Sequence, residues 1–319
     1  MVDTWGRMLV RLVAVVVPLV VFGAIIWLPQ QHTRAVDVRS LATAAPVATN
    51  ARPTSTAQAV LFDMRPVAAT AMLAPEAVAT AAPLGTPSTL ANTDQGYVPV
   101  LMYHYIREVD QAADPLGFRL SVRPDRFAEQ MAWLVEQGYT TVRLRDLAAC
   151  LRAEQRCPER PVALTFDDGY ADNYSAALPV LRHYGFTATF YIVPGFVGRP
   201  GYMTWQQLAV LRDSGMEIAA HSMGHGDLAG MAFEQAHAEI VQSRAVIEAE
   251  LGVAVASFSY PAGSYTPEVA EAVQAAGYTN AVTTWPGANF ERLYELPRRR
   301  VMGGEVIDGF AWYFVPPEP

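Results

Sequence analysis

The sequence is poor in positive charge. Its 319 residues carry 23 basic side chains against 31 acidic ones, for a net charge of −8. Every basic residue is an arginine; lysine does not occur. That balance offers no broad basic surface for a phosphate backbone, so nucleic acid is excluded as a partner. Cysteine is almost absent: Cys150 and Cys157 stand alone in "CLRAEQRC". Their spacing does not suit a zinc knuckle, and no nearby histidine completes one. Histidine is sparse, with six residues, and none follows His237. Hydrophobic residues make up 51% of the chain and charged ones 17%. That composition supports a sizeable core, and the length suits one large domain with accessory segments.

Long apolar runs are also rare, with one exception. Leu12 to Leu28, "LVAVVVPLVVFGAIIWL", is 17 residues without a charge, at the short end of what spans a bilayer. Arg7 and Arg11 precede it, which orients the N-terminus to the cytoplasm. We read residues 1–34 as a cytoplasmic stub and transmembrane signal anchor. A cleavable signal peptide is the alternative, with Ala42-Thr43-Ala44 resembling a cleavage site far downstream. No cysteine stands directly behind the run, so a lipoprotein anchor is excluded. Either way the remainder is exported, to the cell surface or periplasm. In that oxidising space Cys150 and Cys157 read as a small disulfide loop, with two unpaired thiols as the alternative.

Residues 35–96 are dominated by Ala, Thr, Pro and Val, with no sustained period of 2 or 3.6. They read as a tether between membrane and domain, in which "AVLFDM" (59–64) is a candidate docking strand. At Tyr97 the pattern changes. "YVPVLMYHYI" reads as a strand, and strand and helix signals alternate thereafter. Helices are expected over 124–137, 144–154, 174–185, 204–215, 233–252 and 266–277. Strands are expected at "TTV", "PVALTF", "TATFYIV", "MEIAAHS", "ASFSYP" and "TNAVTT". Such alternation predicts a parallel sheet with helices outside, and seven or so units favour a barrel. Chemistry in such folds gathers at strand C-termini. His104, Asp167, Asp168, His221 and Tyr260-Pro261 all fall at expected strand ends.

His221 and His225, four apart in "HSMGHGDL", can point at one ion. Alone the pair reads more readily as a surface turn. Joined to the adjacent carboxylates of "TFDDGY", it suggests a borderline divalent metal with positions left for water. One aspartate then binds the ion while the other takes a proton from water. Neighbouring strand residues point to opposite sides, so the pair is expected to split its roles. Gly169 lets the backbone come close. The alternative is a pair of N-capping aspartates.

These stretches resemble the polysaccharide deacetylase family (the NodB-homology fold, carbohydrate esterase family four). "TFDDGY" matches its first motif and "HSMGHGDL" its second. "FSYPAGSY" is similar to the third and "AVTTWPGAN" to the region of the fourth, over roughly Val98 to Val301. The resemblance implies a distorted (β/α)7 barrel over 97–319 and metal-dependent removal of acetyl groups from polysaccharides. By position it implies Asp167 as base, Asp168, His221 and His225 as metal ligands, and the Ala262 N–H as an oxyanion donor. The third-motif arginine is missing, its place taken by Ser259 or Tyr260; Arg298 or Arg300 is the candidate substitute for steadying the base. The late-motif histidine is missing too. His104 on the first strand fills that role in a permuted branch resembling exported poly-N-acetylglucosamine deacetylases, which "YMTWQQLAVLRDSGMEIAAHS" also resembles.

The expectation is therefore an N-deacetylase of an N-acetylglucosamine-containing cell-surface or exopolysaccharide glycan, using zinc, or cobalt or nickel. Tyr260, Pro261, Tyr202 and Trp285 are candidate sugar contacts, with Tyr265 beside them. The rival readings are an O-acetyl esterase of the same fold, a tethered glycan-binding protein without turnover, and a wall-tethering structural protein without metal. The sequence leaves the oligomeric state open.

Overall fold

The computed structural model describes residues 97–287 and 289–316. The anchor at 12–28, the tether and the docking strand at 59–64 lie outside them. Among the described residues no helix is long and apolar enough to cross a membrane.

The chain opens with β1 (Val100–Tyr103) and β2 (Tyr105–Ile106), then α1 (Pro115–Leu120) and β3 (Ser121–Val122). Next come α2 (Pro124–Glu136), β4 (Thr140–Val142), α3 (Leu144–Leu151) and β5 (Pro161–Phe166). A wide helical turn over Asn173–Ala177 runs into α4 (Leu178–Tyr184), followed by β6 (Thr189–Ile192), α5 (Trp205–Asp213) and β7 (Glu217–Ala220). The chain continues through α6 (Phe233–Leu251), β8 (Ser257–Ser259), α7 (Pro267–Ala275), β9 (Asn280–Val282), β10 (Arg299–Arg300) and α8 (Ile307–Ala311). Several helix ends lie where the sequence indicates. Thr204 forms a reciprocal capping box with Gln207, and Gly185 and Gly252 close α4 and α6 in the left-handed conformation.

The sheet is parallel, in the order β10-β1-β5-β6-β7-β8-β9, with β4 also on β5. It curls into a half-barrel. Across the gap runs the segment 296–300: Leu296 bridges Val282 of β9, while Arg299 and Arg300 pair with Leu101 and Met102 of β1.

Strand alternation sorts the side chains into two sets. Leu101, Val162, Leu164, Phe166, Phe190 and Ile218 pack outward with Phe127, Met131 and Leu134 of α2 and with the other helices. Each such buried side chain contributes about 1.5–3 kcal/mol. Val100, Ala163, Tyr191, Ala219 and Val282 form the inner cluster. Beneath them, at the strands' N-terminal ends, Glu217 is fully buried. It accepts hydrogen bonds from Ser257 Oγ (2.6 Å), Thr189 Oγ1 (2.9 Å) and the Arg145 N–H (3.0 Å). The inner face is thus filled from below, and the polar residues at the C-terminal ends open on one mouth.

Cys150 and Cys157 are buried free thiols rather than the expected disulfide. The mutual influence of the two thiols pulls Cys150 below its ordinary pKa and, with burial, pushes Cys157 up.

Candidate metal centre and active site

The last ladder bonds of the sheet fix the mouth. The Asp167 N–H donates to the Tyr103 carbonyl (3.0 Å), and the His221 N–H to that of Ile192 (2.9 Å). Each residue is one step past its strand, on the inward side of the alternation. His104 follows β1 directly, its carbonyl held by Asn173 Nδ2 at 2.8 Å. Beyond these points the backbone turns through conformations that L-residues avoid. Of six non-glycine residues with positive φ among the described residues, four lie here: Asp168 (72°), Ser222 (57°), His225 (60°) and Ala262 (54°). Each costs on the order of 1–3 kcal/mol and persists where the surroundings over-determine it.

The turn at Asp168 corrects one expectation. The two carboxylates do not face opposite sides; both reach the same mouth. His221 Nε2 is 4.0 Å from Asp167 Oδ2 and 3.5 Å from Asp168 Oδ1. His225 Nε2 is 3.3 Å from Asp168 Oδ1. His225 folds back because its N–H donates to Ser222 Oγ at 2.9 Å. Gly169, with φ of 79°, leaves room that a Cβ would contest with Ile192 Cδ1 at 3.3 Å.

The donor set fits a divalent ion. One atom each from Asp168, His221 and His225 lies within 4.8 Å of the others. His221 Nδ1 is 2.7 Å from the Ser259 carbonyl, so it carries the proton and Nε2 faces the mouth as a lone pair. Asp168 Oδ1 is buried with no hydrogen-bond partner, an acceptor left open. Two imidazoles and a carboxylate suit a borderline metal such as zinc.

Asp167 is held differently. Arg298, fully buried, donates from Nη1 to Oδ1 (2.7 Å) and from Nη2 to Oδ2 (2.8 Å). The same guanidinium donates to Ser259 Oγ (2.9 Å), Thr165 Oγ1 (3.2 Å) and the Thr283 carbonyl (2.8 Å). Ser259 therefore makes room for a guanidinium arriving from 131 residues away from Asp167 in sequence. Burial alone would raise the Asp167 carboxyl, but Arg298 and then His221 hold it below the usual carboxylate range. Asp168 is likewise held low, against burial, by His225 and His221. Burial pushes His104 and His221 below the ordinary imidazole value, with both aspartates pulling back. His225 rises, through its contact with Asp168.

Other expected residues divide. Arg300 makes no contact with Asp167, because Arg298 already takes both oxygens; its candidacy for steadying the base fails. Tyr260 is fully buried, with its hydroxyl donating to the Tyr294 carbonyl at 3.0 Å, and cannot stack on a sugar. Pro261 is buried beside it. Trp285 is 69% exposed over a groove of about 310 Å³ lined with Tyr265, Arg292 and Glu295. Tyr202 is half-buried, stacked on Tyr170 at 5.0 Å and tilted against Phe196 at 4.9 Å. Tyr105 meets Tyr170 at 4.3 Å. The sequence reading passed over Tyr105, Tyr170 and Phe196, although Tyr105 follows His104 directly and Tyr170 follows the DDG turn.

The family model described as "Polysaccharide deacetylase" matches residues 154–281. The YxkH polysaccharide deacetylase of Bacillus subtilis strain 168 is 33% identical over 218 residues, 68% of this chain and 75% of that protein. The chain belongs to the polysaccharide deacetylase family. This deacetylase is also similar to the poly-beta-1,6-N-acetyl-D-glucosamine N-deacetylase of Escherichia coli K12, at 33% identity over 129 residues, but spans only 19% of that enzyme's length. Among solved structures, the Streptococcus pyogenes deacetylase PplD shares its fold at a TM-score of 0.65 and 24% identity, over 69% of this chain and 99% of that one. IcaB from Ammonifex degensii does so at 0.58 and 22%, over 69% and 97%. As a member, the deacetylase is a hydrolase acting on amide bonds, and its family implies an acetylated polysaccharide as substrate.

Proposed function

We propose that this enzyme removes N-acetyl groups from a cell-surface or exopolysaccharide glycan containing N-acetylglucosamine, releasing acetate. The observation that carries the reading is the convergence of Asp168, His221 and His225 beside an arginine-held Asp167 at one mouth. The partial likeness to a poly-N-acetylglucosamine deacetylase supports the sugar. We read the curled sheet, with 296–300 across its gap, as the distorted (β/α)7 barrel.

A zinc, cobalt or nickel ion held by Asp168, His221 and His225 would polarise the acetyl carbonyl and acidify water. Asp167, kept ionised by Arg298, takes the proton of the attacking water. The Ala262 N–H, in the turn after β8, would donate to the developing oxyanion. His104 returns a proton to the departing amine, so a free amino sugar and acetate result. Tyr202 with Tyr170 and Phe196, on the β5–β6 side, and Trp285, on the β9 side, flank the mouth as faces for neighbouring sugars. The membrane anchor at 12–28 would hold this mouth outside the cytoplasm.

The test is acetate release from poly-β-1,6-N-acetylglucosamine, chitin oligomers, peptidoglycan and an O-acetylated glycan, with and without chelator. N-acetylated polymers should release acetate and chelation should stop it. Release from the O-acetylated glycan alone would establish an esterase instead.

A further inference from the structure

Arg300 stands out because the fold does not use its charge. Its neighbours are committed: Arg298 makes five hydrogen bonds. Arg299 donates to the Trp312 carbonyl and lies over the Tyr97 ring. Among the described residues, Arg300 meets no carboxylate or carbonyl at hydrogen-bonding distance, although it is half-buried. None of its nitrogens is among the buried atoms left without a partner, so its charge still meets solvent and is free to meet a ligand.

The register says where that charge lies. Arg300 pairs with Met102 in the parallel β1–β10 ladder, and paired residues share a face. Met102 lies two residues before His104 and shares its face. Arg298 starts one pleat repeat lower, about 6.6 Å, and reaches Asp167. Arg300 starts that much nearer the mouth. It also bears on His104: its charge depresses that imidazole more than Arg298 does. Of the nearby carboxylates, Asp167 is held by Arg298, and Asp168 faces the two histidines with which it would hold the ion.

We propose that Arg300 is the anion-binding arm of this active site, placed beside His104 to take a carboxylate at the mouth. Guanidinium and carboxylate match in a two-pronged geometry. The carboxylate comes from an acidic amino sugar next to the one being deacetylated, or is the acetate the reaction releases. The inference rests on the deacetylase reading for its sources, but not for its test.

The full-length protein, Arg300→Gln and Arg300→Lys are titrated calorimetrically with three probes. These are acetate, a neutral N-acetylglucosamine oligomer, and an oligomer of equal length carrying N-acetylmuramic acid. Binding needs no turnover, so the outcome stands even if no glycan is hydrolysed. Thermal midpoint and metal content confirm that the variants are intact. With an acidic polymer as the source, Arg300→Gln weakens the muramic oligomer about 10–100-fold, leaves the neutral oligomer unchanged, and Arg300→Lys recovers part. With acetate as the source, acetate alone weakens by that factor. Equal affinity of wild type and Arg300→Gln for both anions, or an equal loss on the neutral oligomer, overturns the assignment.

Discussion

Asp167 and Asp168 are adjacent in sequence and opposite in circumstance. Asp167 is locked by a buried guanidinium, and Asp168 keeps an open oxygen between two imidazoles. Replacing Asp167 with Asn should lower turnover by about 10²–10⁴ while metal content is kept, as acetate assays and metal analysis will show. Replacing Arg298 with Leu leaves a buried carboxylate without its counter-charge and should cost about 3–5 kcal/mol in denaturant unfolding. It also removes the influence that lowers the Asp167 pKa, leaving burial to raise it. The base must be ionised, so the acid limb of kcat/KM should move to higher pH. An unmoved limb would mean that Arg298 does not set it. In the native protein the sign is the usual one for a depressed carboxyl. Its contribution to stability is complete above the unfolded value of about 3.9 and is lost as pH falls through the lower folded value. The metal residues and Asp167 were legible in sequence because each motif is local. The choice between Arg298 and Arg300 was not, since it depends on how the 296–300 segment seats against β1 and β9.

At the scale of elements, period-2 alternation and strand ends account for most of the site. "PVALTF" coincides with β5, and Asp167 follows it on the inward side. The capping signals of α5 and the glycine stops of α4 and α6 were equally readable. What escaped was short or conditional. β2, β3 and β10 are two residues each and exist only through their partners. α1 and α8 are of five or six residues, below the length at which a helical period declares itself. Tyr260 looked like a sugar platform because it ends a strand, yet the turn buries it under Tyr265, stacked at 4.6 Å. That turn gives a further prediction. Gly263 has φ of 75°, and a Cβ there would fall 2.2 Å from Thr284 Oγ1 and 2.7 Å from Thr284 N. Gly263→Ala should displace Ala262 and its N–H, reducing kcat more than KM rises. A variant with native kcat would remove Ala262 from the reaction.

At the scale of the molecule, β1, β5, β7 and β10 together deliver residues from His104 to Arg298 to one opening, while the Glu217 network fills the other end. Sequence alternation indicated the layers; the curl of the sheet and the gap between β9 and β1 follow from tertiary pairing that no local pattern carries. An ion bound only by the folded site should stabilise by about 2.7 kcal/mol at a hundred times its Kd. Chelation should therefore lower the thermal midpoint by about 5–10 °C for a domain of this size. The central claim is that Asp168, His221 and His225 hold a metal while Asp167 moves the proton. The most direct measurement is metal content and acetate release on the same samples of wild type, Asp167→Asn and His221→Ala. The account predicts a loaded but idle Asp167→Asn protein and a His221→Ala protein depleted of both metal and activity. A fully loaded His221→Ala protein, or normal turnover in Asp167→Asn, would contradict it.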